Sequence, residues 1–279
     1  MPELPEVETV KNELMPYVVG RKITDVVLLW AGIVKEPSPE EFRSRLIGQE
    51  ITGITRRGKY LPFSLNGGDT LIIHLKMTGS LLVQQDSAEP PRFARAIIHL
   101  DNDTHIVFRD PRKFGVLRLV ADKNTIIGKL GPEPFDDCFT PKLLGEILLK
   151  RKAPMKALLC EQELIAGIGS MYADEALFAT KIHPMRPGTS LTPKEIKNLH
   201  KEIRRILSAA IENKGASVDT YFRPDGSRGT AHYQFKVAHR FKEPCYTCGT
   251  PIERIKVRQR GSYFCPKCQP TPKDLMRRK

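Results

Sequence analysis

The first six residues hold three groups that could carry out covalent catalysis: Pro2, Glu3 and Glu6. A small second residue permits removal of Met1, which leaves Pro2 with a free secondary amine. An α-amino group titrates near ~7.7–8.0, so a fraction is unprotonated at neutral pH and can attack a sugar aldehyde carbon to form an iminium. Glu3 and Glu6 stand at the start of a predicted helix, where carboxylates are stabilised and could transfer protons. Taken alone, both fit ordinary helix-start glutamates better.

Six cysteines are present, and four of them form two close pairs near the end of the chain. The pairs are Cys245 with Cys248 and Cys265 with Cys268, sixteen residues apart. Each pair can place two sulfurs on one tetrahedral ion, so the spacing predicts one structural zinc ion with no open position for catalysis. Cys138 and Cys160 remain and are predicted to be inert packing thiols.

The segment RIKVRQR at 254–260 lies between the cysteine pairs and reads as one β-strand. A period of two would then put four cations on one face: Arg254, Lys256, Arg258 and Arg260. A row of cations on a metal-held finger favours a grip on phosphates. A solvated basic strand edge is the alternative.

The chain has 45 Lys and Arg against 32 Asp and Glu, a net charge of +13. Such a field favours polyanionic partners such as nucleic acid, although a merely basic soluble protein has the same charge. No apolar run approaches the roughly 20 residues of a membrane span, and the N-terminus does not have the pattern of a signal peptide. We therefore expect a cytoplasmic, nucleoid-associated protein without membrane contact.

The elements that must position these groups change in character along the chain. Val7, Val10, Leu14 and Val18 recur at helical spacing and predict one amphipathic helix that ends near Gly20. Residues 22–120 contain β-branched runs separated by turn signals, which predict an antiparallel sandwich or barrel.

The second half of the chain reads as helical after a linker at about 121–141 that is rich in Pro, Gly and Asp. Helices are predicted near 140–151, 155–164, 171–181 and 193–213. The polar stretch at 215–235 is too long for a simple connection, so it is either a disordered linker or a functional loop.

Several motifs together with the opening MPELPEVETV and the cysteine spacing resemble the formamidopyrimidine-DNA glycosylase family, which includes the endonuclease VIII relatives. The internal motifs are RRGKYL (56–61), HLKMTG (74–79), RDPRKFG (109–115) and IAGIGSMYADEALF (165–178). The resemblance covers nearly the whole chain. ELPE at 3–6 looks more like the purine-repair branch than the EGPE more usual in endonuclease VIII.

The resemblance implies catalytic roles for residues that match the family motifs. Pro2 would be the nucleophile at the deoxyribose C1′, Glu3 the acid–base group that assists ring opening, and Glu6 a supporting carboxylate. Lys59 would grip the lesion phosphates and assist the sugar chemistry. Arg260 would clamp the same phosphates from the finger.

The resemblance also implies DNA contacts. His74 would lie beside a phosphate, Met77 would fill the gap left by a flipped base, Phe114 would unstack the neighbouring step and Arg112 would hydrogen-bond the widowed base. Outside the family context, Met77 fits core filler, and Arg112 with Phe114 fits a hairpin turn.

The turn at Gly169 and Ser170 matches the family's helix-two-turn-helix, whose backbone N–H groups at a helix start can cradle phosphate. Ser170 is a departure, because the family usually has Asn there. Ser170→Asn is therefore expected to tighten binding to an abasic-site analogue by about one order of magnitude.

These observations predict an α+β multidomain protein: an N-terminal helix with an antiparallel β-sandwich, then a helix-two-turn-helix domain with a C-terminal zinc-finger hairpin. The predicted divisions are 1–121 for the catalytic sandwich, 122–140 for the linker, 141–235 for the helical domain with its lesion-covering loop, and 236–270 for the zinc finger. We expect a monomer that holds duplex DNA between its domains.

The predicted function is a bifunctional DNA glycosylase and AP lyase that excises oxidised purines from duplex DNA through a Pro2 Schiff base and β,δ-elimination. Its partner would be double-stranded DNA with oxidised bases or abasic sites. Two alternatives stay open: an endonuclease VIII-like enzyme for oxidised pyrimidines, and a non-catalytic binder of damaged DNA.

Overall fold

A computed structural model describes residues 1–272 and divides them into two compact units. The first unit combines Met1–Lys129 with Ala210–His232. The second combines Leu130–Ala209 with the chain from Tyr233 onward. The first unit is therefore built from two separate stretches of sequence.

Helix α1 (Leu4–Val18) opens the first unit and confirms the predicted amphipathic helix. Glu3 is its N-cap residue, and Pro5 lies in the first turn, where a missing N–H leaves no intrahelical bond unmade. Val7, Val10, Leu14 and Val18 are all fully buried. These residues pack on one face of the helix into the core, so the position of the helix, and of the N-terminal residues at its start, is fixed.

Nine strands follow α1 and form one sheet in the order β2-β9-β5-β4-β3-β1-β7-β8-β6. The strands are β1 (Arg21–Leu28), β2 (Val34–Glu36), β3 (Glu50–Ile54), β4 (Tyr60–Leu65), β5 (Thr70–His74), β6 (Ser80–Gln85), β7 (Ala94–Leu100), β8 (Thr104–Arg109) and β9 (Val116–Val120). Helix α2 (Pro39–Leu46) lies between β2 and β3 in sequence, and the one-turn helix α3 (Asn124–Ile127) follows β9. Only the pair of β2 with β9 is parallel in this sheet.

Strand β1 belongs to both halves of the sheet. Its first residues pair with β3, and its remaining length pairs with β7. Apolar residues from both halves and from α1, among them Leu61, Phe63, Ile98 and Phe108, form one buried core. The predicted sandwich with an N-terminal helix is confirmed.

The second unit is mainly helical. Its helices are α4 (Pro141–Leu149), α5 (Met155–Leu159), α6 (Ser170–Ala179) and α7 (Pro193–Glu212), the last of which ends in the first unit. Helix α5 is five residues shorter than the predicted 155–164. Gln162 explains the early end, because its side-chain amide donates to the carbonyls of Cys160 and Ile168 and so stabilises a turn. Within the described residues, none of the helices has the length and apolar character that a membrane crossing requires.

The basic segment 254–260 is a hairpin, and the prediction of a single strand was wrong. Strands β10 (Glu253–Val257) and β11 (Arg260–Phe264) pair antiparallel. Arg258 and Gln259 form the turn between them with φ of 42° and 66°. Two positive φ angles in a two-residue loop match the twist of the flanking strands.

The hairpin register also separates the cations. Arg260 pairs with Val257, whereas Lys256 pairs with Gly261. Arg260 therefore lies on the opposite face from Lys256 and Arg254, because directly paired residues share a face and neighbours along a strand alternate. The predicted single row of four cations is not formed.

The stretch at 215–232 folds onto the first unit, so the disordered-linker alternative is excluded. The Ser217 hydroxyl donates to the Tyr221 carbonyl over 2.9 Å and accepts from the Gly229 N–H over 2.9 Å. Arg223 makes a two-pronged ion pair with Glu13 of α1. Elsewhere, Cys160 is buried as predicted, but Cys138 is exposed and is not a packing thiol.

Candidate active site

The N-terminal residues of α1 are buried although they begin the chain. Pro2 is buried, Glu3 is 1% exposed and Glu6 is 0% exposed, whereas Met1 is 39% exposed. The Glu6 carboxylate accepts the Glu3 N–H over 2.7 Å as part of a capping box between the two residues. This bond satisfies a donor that the helix leaves open and fixes the backbone next to Pro2.

The second oxygen of Glu6 holds the loop at 215–232. It accepts the backbone N–H of Ala216 over 2.8 Å. Gly215 has a φ of +76°, and a Cβ at this position would lie 2.9 Å from the Glu6 side chain, so this turn requires glycine. The pKa of Tyr221 is raised well above its usual value by burial and by the charges of Glu6 and Glu13, so its hydroxyl stays protonated.

Lys59 lies in a tight turn between β3 and β4. The backbones of Arg57 and Tyr60 exchange hydrogen bonds across Gly58, which has a φ of +57°. The Arg56 guanidinium donates to Glu8 of α1 over 2.6 Å and to the Gly58 carbonyl. Lys59 is 4% exposed, so this turn places a cation in the interior of the same unit as α1.

His74 is the last residue of β5, and the charge of Lys59 acts on its imidazole. Burial, together with the charges of Lys76 and Lys59, lowers the pKa of His74 from 6.5 to about 3. Its Nδ1 accepts the N–H of Lys76 over 2.9 Å, and its ring meets Tyr60 edge-on. A neutral imidazole that accepts at Nδ1 carries its proton at Nε2, so His74 offers a neutral N–H donor.

Asp110 organises the loop that carries Arg112 and Phe114, and sequence reasoning missed it. This carboxylate is 0% exposed and accepts the N–H groups of Arg112, Phe114 and Gly115. It also accepts the Thr78 hydroxyl, which joins this loop to the segment that contains Met77. The dipeptide Asp-Pro is a turn signal that could have identified the residue.

The three predicted wedge residues are on the surface of the first unit. Met77 is 41% exposed and Phe114 is 47% exposed, so both apolar side chains can be contacted from solvent. The guanidinium of Arg112 lies 4.6 Å from the centre of the Phe114 ring. Asp110 therefore fixes the backbone of a loop whose tip presents an aromatic ring and a cation to solvent.

In the second unit, Ser170 begins α6 and contacts the hairpin. Gly169 is its N-cap, and the Ser170 hydroxyl donates to the Gly261 carbonyl over 3.0 Å. This bond lies next to Arg260, which is exposed at the start of β11. The hydroxyl that sequence reasoning assigned to a phosphate thus has a partner within the protein.

A buried ion pair holds the same hairpin to α6 and was not predicted. Lys156 and Asp174 are 0% and 2% exposed, and their charged atoms lie 2.6 Å apart. Asp174 also accepts the Ser262 hydroxyl and the Tyr263 N–H, both on β11. Removing one member would leave the other charge buried and unpaired. The stability of the folded protein would then fall by on the order of 3–5 kcal/mol.

The four predicted zinc ligands come together at the base of the hairpin. The Sγ atoms of Cys245 and Cys268 are 3.9 Å apart, and Cys248 lies 3.4 Å from Cys265 and 3.6 Å from Cys268. Tetrahedral thiolates around one zinc are separated by about 3.8 Å, so the set fits the metal. The N–H groups of Thr247 and Cys268 donate to cysteine sulfurs, as in a closed structural site.

Three family profiles match successive parts of the chain. Residues 1–117 match the formamidopyrimidine-DNA glycosylase N-terminal domain, and residues 130–221 match the H2TH domain of the same family. The chain belongs to the formamidopyrimidine-DNA glycosylase family. Residues 242–271 match the zinc finger found in FPG and IleRS, which confirms the predicted structural zinc ion.

Similar proteins cover almost the entire chain. A formamidopyrimidine-DNA glycosylase of Chloroflexus aurantiacus is 46% identical over 97% of this chain and 98% of its own length. One from Geobacillus kaustophilus is 42% identical over 96% of this chain and 100% of its own. The resemblance identified from the motifs is confirmed, and the protein is a DNA glycosylase of this family.

Solved structures agree with this assignment. A complex of a Lactococcus lactis FPG variant with Fapy-dG-containing DNA has a TM-score of 0.91 and 37% identity, and covers 97% of this chain and 100% of that one. The MutM (FPG) protein of Thermus thermophilus gives a TM-score of 0.88 and 38% identity, with coverage of 97% and 100%. The predicted α+β fold class is therefore that of the family.

Proposed function

We propose that this protein is a bifunctional glycosylase and AP lyase that removes oxidised purines, 8-oxoguanine and formamidopyrimidines, from duplex DNA in base excision repair. The observation that carries the proposal is the buried start of α1, where Pro2 adjoins the carboxylates of Glu3 and Glu6. Similar solved proteins hold DNA with Fapy-dG or with an abasic site, which supports the substrate class.

The chemistry begins once Met1 is removed. The Pro2 nitrogen attacks C1′, the C1′–N bond to the damaged base breaks, and the base leaves with the bonding pair and a proton. Glu3 protonates the ring oxygen, so the sugar opens to an iminium linked to Pro2. A general base then takes a C2′ proton, the released electron pair moves into the iminium, and the 3′ phosphate leaves by β-elimination. Loss of the C4′ proton expels the 5′ phosphate by δ-elimination.

The other side chains position the DNA. Lys59 and Arg260 supply cations for the phosphates, and neutral His74 donates from Nε2 without adding charge. Met77, Arg112 and Phe114 occupy the gap left by the extruded nucleotide, which suits their exposure on the first unit. Gly169 and Ser170 lie at the start of α6, where backbone N–H groups favour an anion. A nucleoid-associated location in the cytoplasm follows from this activity.

A covalent trap tests the proposal. Protein verified by mass spectrometry to begin at Pro2 is mixed with a duplex containing 8-oxoguanine opposite cytosine in the presence of borohydride. We expect an adduct that peptide mapping places on Pro2. One glycine inserted before Pro2 provides the matched control, because it converts the Pro2 nitrogen into an amide that cannot form the adduct while changing no side chain.

The same assay separates the alternatives. Faster trapping on a duplex with an oxidised pyrimidine would favour the hypothesis of an endonuclease VIII-like enzyme. Tight binding without any adduct would favour a non-catalytic binder. An adduct on a lysine would contradict the role of Pro2.

A further inference from the structure

Three potential metal ligands meet on the outer face of the sheet, away from the residues discussed so far. His99 on β7 is paired directly with His105 on β8, and Gln84 on β6 is paired with His105 from the other side. Asp86 lies in the turn directly after β6, and its carboxylate contacts both histidines. Two adjacent strands and the turn after a third thus bring their side chains to a single point.

The ligand atoms are close to the spacing that coordination requires. Asp86 Oδ1 lies 2.9 Å from His99 Nδ1 and 2.8 Å from His105 Nδ1, and all three atoms lie within 4.8 Å of one another. With metal–ligand distances of about 2.0–2.2 Å, neighbouring ligands of a tetrahedral ion are separated by about 3.3–3.6 Å. A metal ion would therefore need only a small widening of the present arrangement.

We propose that Asp86, His99 and His105 bind a divalent transition-metal ion, Zn²⁺ in the first place, at a second site distinct from the cysteine cluster. Two imidazoles and one carboxylate are the donor set that such ions accept. Asp86 is 39% exposed and His99 is 28% exposed, which gives the ion a route from solvent and leaves room for water ligands. This site is independent of the proposed DNA chemistry.

The surroundings of His105 determine the affinity that we expect for zinc at this site. His105 is 2% exposed, and its Nε2 has no hydrogen-bond partner. A metal on Nδ1 would leave the proton on this Nε2 without an acceptor, and outer partners of this kind are worth about 10–100-fold in affinity. The second zinc should therefore bind about 10–100-fold more weakly than at a site whose histidines are fully supported.

Binding would tie the ends of β6, β7 and β8 together. An ion that binds the folded state alone raises its stability by mass action, so zinc should raise the melting temperature of the first unit. His99 and His105 should report the event directly, because coordination changes the chemical shift of the imidazole Nδ1.

The test is a calorimetric titration with ZnCl₂ of full-length protein that already holds one zinc ion per chain. We expect a second equivalent to bind and the Nδ1 resonances of both histidines to shift in ¹⁵N spectra. Asp86→Asn and His99→Gln should each weaken this second binding by more than the roughly 10–100-fold that an outer partner contributes. Asp103→Asn is the matched control, because it removes a nearby carboxylate outside the cluster at a position whose φ of +57° suits Asn.

Three results would overturn the proposal. One is a stoichiometry that stays at one zinc per chain. Another is equal second binding by the wild type and Asp86→Asn. The third is zinc binding without a shift at His99 or His105. Circular dichroism of each variant confirms that the comparison is made between folded proteins.

Discussion

The Glu6 carboxylate accepts the backbone N–H of Ala216 over 2.8 Å, although the two residues are 210 positions apart. Its other oxygen accepts the N–H of Glu3. One buried side chain therefore fixes both the start of α1 and the loop at 215–232.

Glu6→Gln should destabilise the protein, because an amide has one acceptor oxygen and leaves one of these two N–H groups without a partner. An unsatisfied buried donor costs about 1–3 kcal/mol. Urea denaturation measures the loss, and Glu89→Gln on the surface is the control. Equal stability of the two variants would show that water or a rearranged loop replaces the Glu6 contact.

Asp110→Asn should weaken binding to duplex DNA with an abasic-site analogue. In the variant, the side-chain amide would face N–H groups that in the wild type donate to the Asp110 carboxylate. The loop with Arg112 and Phe114 would therefore lose hydrogen bonds that fix its backbone. Hydrogen bonds to a charged group contribute about 1.5–3 kcal/mol each, so a loss of at least about tenfold in affinity is expected. Asp101→Asn, a surface change, should bind as the wild type does. Wild-type affinity in Asp110→Asn would refute this role for the carboxylate.

His74 should make the folded state sensitive to acid. Its folded pKa of about 3 lies below the usual 6.5, so on acidification the unfolded chain binds the proton first. The stability contribution is therefore complete above pH 6.5 and falls between pH 6.5 and about 3 by up to about 1.4 kcal/mol per pH unit.

His74→Asn keeps an acceptor for the Lys76 N–H and does not titrate. The slope of unfolding free energy against pH between 4 and 6 should be smaller in this variant than in the wild type. Parallel slopes would show that His74 is protonated in the folded protein.

The turn at Ser170 could support the hairpin or contact a phosphate directly, and variants of Ser170 distinguish these two roles. Its hydroxyl donates to Gly261, so Ser170→Ala should loosen the hairpin beside Arg260 and lower DNA affinity by about tenfold. Ser170→Asn also removes this hydroxyl, so the contact with Gly261 predicts no gain in affinity for this variant, in contrast to the expectation from the sequence. Binding titrations at matched salt measure both variants. Tighter binding by Ser170→Asn would restore the direct phosphate contact suggested by the sequence.

Zinc removal should unfold the hairpin and abolish DNA binding while the first unit stays folded. The cysteine site supplies the folding energy of the finger, about 10–16 kcal/mol in zinc-finger peptides. Cys265→Ser tests the same point without a chelator. Hydrogen exchange measured separately for β1–β9 and for β10–β11 distinguishes local from global loss. Unchanged affinity after verified metal loss would show that the finger does not hold DNA.

Periodic and short-range features were predictable from the sequence. The buried residues of α1 recur at helical spacing, and the paired cysteines are close in sequence. Both patterns can therefore be recognised without knowledge of distant contacts. Residues that act through distant contacts gave no such signal. Asp174 meets Lys156 and β11, and Glu6 meets Ala216, only after the chain has folded. The hairpin at 254–260 was misread because its turn uses Arg258 and Gln259 at positive φ, where glycine or asparagine would have marked it.

The return of residues 210–232 to the first unit has a consequence for protein synthesis. When the sandwich strands have left the ribosome, Glu6 still lacks the N–H of Ala216, which is translated 96 residues after β9 ends at Val120. The helix that begins beside Pro2 is then complete in sequence but not in its contacts. A nascent chain therefore reaches the end of its first family domain with only one of the two hydrogen bonds of Glu6 available, and the second forms in the last quarter of translation.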